Sequence, residues 1–236
     1  MSPTLGFALV HLISLGASVH TAKCGPKVSR PITQTKTETF EAVVARGDAL
    51  PSILLARPFD SGNVGSVARG MLNFGLWQLR LVAPVADHQS DEAVLRASGA
   101  APLLRRAEAF EHMEAATSDL QLVLATTARP RESRMPVHSP REAVALTAAA
   151  LRRGERVGWL FGSEKNGLSN DELEWAHGIV TIPTTPGFSS LNLAQAVLLL
   201  CYEWASLGDQ RSQLDVAKQA CIHARACMCV HVRACV

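Results

Sequence analysis

Between about residues 50 and 207 the apolar positions keep two alternating rhythms, and these set the expected architecture. Short continuous apolar runs predict strands over 52–56, 79–83, 120–125, 157–161 and 179–182. Between them, apolar or small residues recur at helical spacing over 65–74, 91–97, 107–115, 139–153, 170–176 and 191–206. Gly75 stops the first of these helices. Ser139-Pro-Arg-Glu opens the fourth in the manner of a capping box, and Ser169 or Asn170 caps the fifth. Strands that alternate with helices predict an α/β domain with a mostly parallel sheet and helices on both faces. Ligands of such sheets bind outside the carboxyl ends of the strands.

Three segments fall at those ends: Asn63-x-Gly65-x-x-x-Arg69, Phe161-Gly-Ser-Glu164-x-x-Gly167-Leu-Ser169, and Ile182-Pro183 followed by Ser189-Ser-Leu-Asn192-Leu-Ala194-x-Ala196. In the first, Gly65 allows backbone to approach a ligand. Arg69, about one turn further, has the forked donors that bind a phosphate. A plain helix start with an exposed arginine explains the same residues. In the second, Gly162 and Gly167 bracket a tight loop. Glu164 can accept hydrogen bonds from backbone, an arginine or a ligand, or lie on the surface of a turn. In the third, Ser189 or Ser190 can cap the following helix, which is a sufficient structural reason for a serine. Asn192 is a poor helix former beside a very apolar helix. Its amide needs a partner, either loop backbone or a ligand.

Absent patterns narrow the chemistry. No Gly-x-Gly-x-x-Gly, Walker loop, His-Glu-x-x-His or Gly-x-Ser-x-Gly occurs. None of the eight histidines lies in the three segments, which argues against metal-driven or histidine-driven catalysis. A formal charge of +2 implies no extreme field, although a local basic patch suffices for RNA. No stretch has the ~20 consecutive apolar residues of a membrane span, so no membrane partner is expected.

The two ends differ from the middle. Residues 1–37 contain no Asp or Glu and are rich in Ser and Thr. That is the character of an organellar transit peptide, with an untargeted extension as the alternative. The expected location is therefore cytoplasmic, or organellar if the segment is a transit peptide. Residues 221–236 alternate Cys, His or Arg with Ile, Ala, Met or Val without a break. An alternating purine–pyrimidine repeat read in frame would encode such a string. The functional alternative is a Cys/His metal site around Cys227, Cys229, His223 and His231, without the usual paired spacing. The domain expectation is an extension over 1–45, one catalytic domain over 46–208 and a tail over 209–236. Cysteine is missing from the middle of the chain, which argues against a disulfide scaffold and for a reducing compartment.

Taken in order and at this spacing, the three segments resemble the signature motifs of the SpoU-type RNA 2′-O-methyltransferases of the SPOUT superfamily. The run from Ser189 to Ala196 and the loop Thr126-Thr-Ala-Arg129 are similar to the TrmJ-like branch, which acts on tRNA. The resemblance implies an α/β domain whose C-terminal part forms a deep trefoil knot. It implies S-adenosyl-L-methionine as cofactor, bound by Thr126, Thr127, Ala128, Gly162, Ile182, Ser189, Ser190 and Leu191, with no metal required. It implies methyl transfer to a ribose 2′-hydroxyl, with Arg69, Asn63, Glu164, Ser190 and Asn192 as the catalytic set. RNA, most of all tRNA, and a second copy of the chain are the implied partners. A non-catalytic RNA-binding relative, an rRNA substrate and an unrelated small-molecule enzyme stay open as alternatives. Members of the TrmJ-like branch usually carry a C-terminal extension that helps grip tRNA, and here a short polar piece and the repeat-like tail stand in that place.

Overall fold

A computed structural model describes residues 40–45, 49–129 and 135–208, without the side chains of residues 42 and 43. The expectations for most of the extension, for the tail and for its Cys/His alternative lie outside the described residues. The elements run α1 (Phe40–Ala45), β1 (Ser52–Ala56), α2 (Ser61–Asn73), β2 (Leu79–Val82), α3 (Asp91–Ala97), a 3₁₀ turn (Ser98–Ala100), α4 (Ala101–Arg106), β3 (Glu108–Phe110) and α5 (Met113–Thr117). They continue with β4 (Leu122–Thr126), β5 (Val137–His138), α6 (Pro140–Arg152), β6 (Val157–Phe161), α7 (Asn170–Leu173) and β7 (Gly178–Val180). A last helix, α8, covers 193–208.

Seven strands form one sheet in the order β3-β2-β1-β6-β4-β7-β5, and every neighbouring pair is parallel. The period-2 geometry of a strand explains why the central runs are apolar throughout. Ile53 and Leu55 enter one core, with Leu124, Trp159, Phe161 and residues of α2, α3, α4, α6 and α8. Leu54 and Ala56 enter the other, with Val123, Ala125, Leu160 and residues of α5 and α7. Trp159 is fully buried, and its indole N–H donates to Thr147 Oγ1 at 2.9 Å. That contact satisfies the one polar atom of the largest core side chain.

The first strand, β1, lies in the middle of the sheet; the chain then runs outward through β2 and β3 and crosses to β4 on the far side of β1. Strand β6 later inserts between β1 and β4. The carboxyl ends of β1, β4, β6 and β7 therefore converge at a switch point, where a parallel sheet leaves a crevice.

Local expectations are corrected in three places. Residues 107–115, expected as a helix, form β3 and α5 instead. Ala107 has an extended ψ of 134°, and Glu108, Ala109 and Phe110 pair with Arg80, Leu81 and Val82. An alanine-rich stretch with helical propensity is overridden by a free sheet edge. Helix α4, with Pro102 in its first turn, and the two-residue strand β5 are not apparent in the pattern. Helix α2 starts at Ser61 rather than Gly65, because the Asp60 side chain accepts from the Asn63 N–H at 2.7 Å and caps it there. The capping box of α6 forms between Ser139 and Glu142 as expected.

Candidate active site

The loops after β4, β6 and β7 wall a cleft of about 250 Å³. All eight residues singled out for the cofactor line it: Thr126, Thr127, Ala128, Gly162, Ile182, Ser189, Ser190 and Leu191. Glu164 lines it as well. Arg129, Lys165, Asn166, Leu168 and Leu193 complete much of the wall and were not singled out from sequence. Strand β7 ends at Val180, two residues before the expected end, which releases Ile182 from the sheet into the cleft.

Glycine fixes the shape of the second loop. A Cβ on Gly162 would lie 2.2 Å from the Gly167 carbonyl carbon and 2.3 Å from Leu168 N. Only glycine permits that crossing. Gly167 takes φ +64°, and its N–H donates to Ser163 O at 2.7 Å, which closes the loop.

Glu164 ties this loop to the first segment. Its carboxylate accepts from Phe59 N at 2.9 Å, Asp60 N at 3.4 Å and Asn63 Nδ2 at 3.1 Å. With its amide nitrogen turned to Glu164, Asn63 presents its oxygen to Asn192 Nδ2 at 2.8 Å. Asn192 Oδ1 in turn accepts from Ala194 N at 2.9 Å and Gln195 N at 3.4 Å. Asn192 is thus the cap of α8, a correction to the expectation that Ser189 or Ser190 caps it and that Asn192 lies in its first turn. The helix starts later than its apolar pattern, and this frees both serines to line the cleft. Three of the singled-out polar residues form one continuous network from β6 through α2 to α8.

Two readings of the first segment change. Gly65 does not serve ligand approach: a Cβ there would lie 2.1 Å from Ala93 O, so its role is the close crossing of α2 and α3. Arg69 is exposed on α2 and is not part of the cleft wall. Among the described residues its guanidinium makes no hydrogen bond or ion pair.

Among the described residues one buried side-chain polar atom is unsatisfied. Thr126 Oγ1, on the cleft wall at the end of β4, is shielded from solvent and has no hydrogen-bond partner. Leaving a buried hydroxyl unpaired costs about 1–3 kcal/mol, so this atom marks a place where a ligand group is wanted.

Comparison with known proteins identifies relatives of this chain. The SpoU rRNA Methylase family matches residues 51–202. The tRNA (cytidine/uridine/adenosine-2′-O-)-methyltransferase TrmJ of Pseudomonas aeruginosa is 42% identical over 64% of this chain and 58% of its own length. The chain thus spans about three-fifths of the length of such curated relatives. The crystal structure of TrmJ from Z. mobilis is 44% identical, with a TM-score of 0.62 over 67% of this chain and 70% of that one. The SpoU methyltransferase AviRb from Streptomyces viridochromogenes, solved in complex with AdoMet, shares the fold at 21% identity and a TM-score of 0.56, over 68% of this chain and 58% of that one. With the family match over residues 51–202 and the fold shared with solved TrmJ, the chain belongs to the SpoU rRNA Methylase family.

Proposed function

We propose that this chain transfers a methyl group from S-adenosyl-L-methionine to a ribose 2′-hydroxyl of RNA, with tRNA as substrate. The observation that carries this reading is the joining of one cleft, walled by the eight expected donor-binding residues, to the Glu164–Asn63–Asn192 network. The TrmJ relatives, at 38–42% identity, support tRNA as the substrate.

The residues present fit such a donor. Leu168, Ile182, Leu191 and Leu193 offer apolar contact, and the unpaired Thr126 hydroxyl offers a hydrogen bond deep in the wall. Arg129 and Lys165 bring positive charge to the same cleft, as a phosphate-bearing substrate requires.

When bound, the donor would supply a methyl already activated on a sulfonium. What remains for the protein is positioning. Glu164 holds the start of α2 by three hydrogen bonds and fixes the orientation of Asn63. Asn63 and Asn192 lock α2 to the start of α8, beside the Ser189–Leu191 wall. Arg69, which has no hydrogen-bond or ion-pair partner among the described residues, is free to grip an RNA phosphate with its forked donors.

The same reading makes 46–208 the catalytic domain and carries the deep knot, supported by the convergence of loops 126–129, 162–168 and 182–191 on one cleft. It also carries a homodimer, supported by the exposed Leu198, Leu199 and Tyr202 on α8.

The test is methyl transfer from labelled S-adenosyl-L-methionine into bulk tRNA, with bulk rRNA alongside, followed by mapping of the modified nucleotide. Transfer to tRNA by the wild type, abolished in Arg69→Ala with donor affinity retained, is the expected result. Near-normal turnover in Arg69→Ala would remove its role. A wild type that binds RNA and transfers nothing would identify a non-catalytic relative, and transfer to rRNA alone would change the substrate.

A further inference from the structure

Arg57 lies outside all three sequence segments, yet it reaches the second of them at Gly167. It follows β1 directly, with φ +48°, a left-handed conformation that non-glycine residues seldom adopt. Its N–H donates to Val82 O at 2.8 Å, which holds the bend against β2. The bend carries its guanidinium to the loop after β6. There Nε donates to Glu172 Oε1 at 2.7 Å and Nη2 to Glu172 Oε2 at 2.9 Å, a two-pronged ion pair. A longer contact of 3.4 Å reaches Gly167 O.

Glu172 is itself committed. It accepts from Ser169 N at 2.7 Å, and Ser169 Oγ accepts from Glu172 N at 3.2 Å, the capping box of α7. Burial pushes the Glu172 carboxyl up, but Arg57 and the Ser169 N–H outweigh it and hold the group below its ordinary range. Arg57 thus anchors both ends of the stretch 167–172, immediately after the Gly162–Gly167 crossing on the cleft wall. The ion pair spans 115 residues of sequence.

Building on the methyltransferase reading, we infer that Arg57 is a positioning residue for the donor: its clasp on Glu172 and Gly167 sets the shape of the Gly162–Leu168 wall and thereby donor affinity. Arg57 does not itself line the cleft, although Gly167, which accepts from it, does, and it makes no hydrogen bond to Glu164, Asn63 or Asn192 among the described residues, so its loss acts on binding and leaves the transfer step. Strained backbone that ends in a fully formed ion pair behind a ligand loop is the pattern of local cost retained for pre-organisation.

The experiment measures donor affinity by calorimetry and steady-state kinetics on the full chain, for wild type, Arg57→Ala, Arg57→Lys, Glu172→Gln and the Arg57→Ala/Glu172→Gln double variant, with thermal melts of each. Arg57→Ala is expected to weaken S-adenosyl-L-methionine binding by about tenfold, with kcat within about twofold. Lysine keeps the charge without the fork and recovers part of the loss. The double variant binds no worse than Arg57→Ala, because both changes break one interaction. Glu172→Gln, which retains an oxygen for the cap, carries the test if Arg57→Ala does not fold. Unchanged donor affinity in a folded variant, or a fall in kcat with affinity intact, overturns the inference while the methyltransferase reading stands. A wild type that binds no donor overturns both.

Discussion

Asn192 donates from its side-chain amide to the amide oxygen of Asn63 at 2.8 Å, which joins two helix starts that lie 129 residues apart in the chain. Each asparagine is also held from behind, Asn63 by Glu164 and Asn192 by the first N–H groups of α8. Neither amide can turn over without breaking both of its contacts, so the network has one orientation. A fixed polar track between α2 and α8 is what a site needs when its chemistry is positioning.

Asn63→Asp tests that track with almost no change of shape. The new carboxylate faces Glu164 at hydrogen-bond distance and removes the donor between them. Methyl transfer should fall by about ten- to a hundredfold, with donor affinity within about twofold. Steady-state kinetics beside calorimetry read both quantities, and a variant with wild-type kcat would show that the track does not serve transfer.

Gly162→Ala tests the second loop. Its Cβ meets Gly167 and Leu168 backbone, which cannot swing aside as a flexible side chain would. The expected result is a loss of about 1–3 kcal/mol of stability together with loss of donor binding. Gly65→Ala is the control: it clashes with Ala93 O at the crossing of α2 and α3, neither residue being part of the cleft wall, and should cost stability without a specific effect on the donor. Chemical unfolding and donor titration separate the two.

Thr126→Val exchanges an unsatisfied buried hydroxyl for a methyl of similar shape. The free protein should be unchanged or more stable by up to about 1 kcal/mol. If the hydroxyl bonds the donor, affinity should drop by roughly three- to tenfold. A stabilised variant that binds the donor as the wild type does would show that this atom faces nothing in the complex.

Acid stability has a specific source in Asp119. Arg80 donates to both its oxygens, and this pairing is the main reason its carboxyl lies below the ordinary range. The folded state therefore holds fewer protons on this group than the unfolded state does. The stabilisation is complete above the unfolded value near about pH 4 and is lost as pH falls through the lower folded value. Unfolding as a function of pH should show this slope, flattened in Asp119→Asn. That variant should also cost about 1–3 kcal/mol at neutral pH, because the half-buried Arg80 loses its charged partner.

Sequence alone carried much of this protein. Apolar runs at 52–56 and 157–161 mark strands buried on both faces, because only a sheet covered by helices tolerates such continuity. Three strand-end segments and the loop Thr126-Thr-Ala-Arg129, together in one order, resembled the family, and that resemblance named the eight residues that line one cleft. Clear local signals lay behind the elements: a glycine-bracketed loop at Gly162, a cap at Ser139, a change from period 2 to period 3.6.

What the tertiary structure decided concerns partners distant in the chain. The stretch 107–115 has helical composition, and its strand exists only because β2 offers an edge to pair with. Gly65 reads as a ligand glycine until α3 is seen crossing 2.1 Å from its missing Cβ. Asn192 becomes a cap and a bridge only when α2 is brought beside it. The Arg57–Glu172 clasp has no sequence signature at all. Period and propensity record what each segment does alone; a hydrogen bond across 115 or 129 residues is fixed by the order of strands in the sheet, and no local pattern encodes that order.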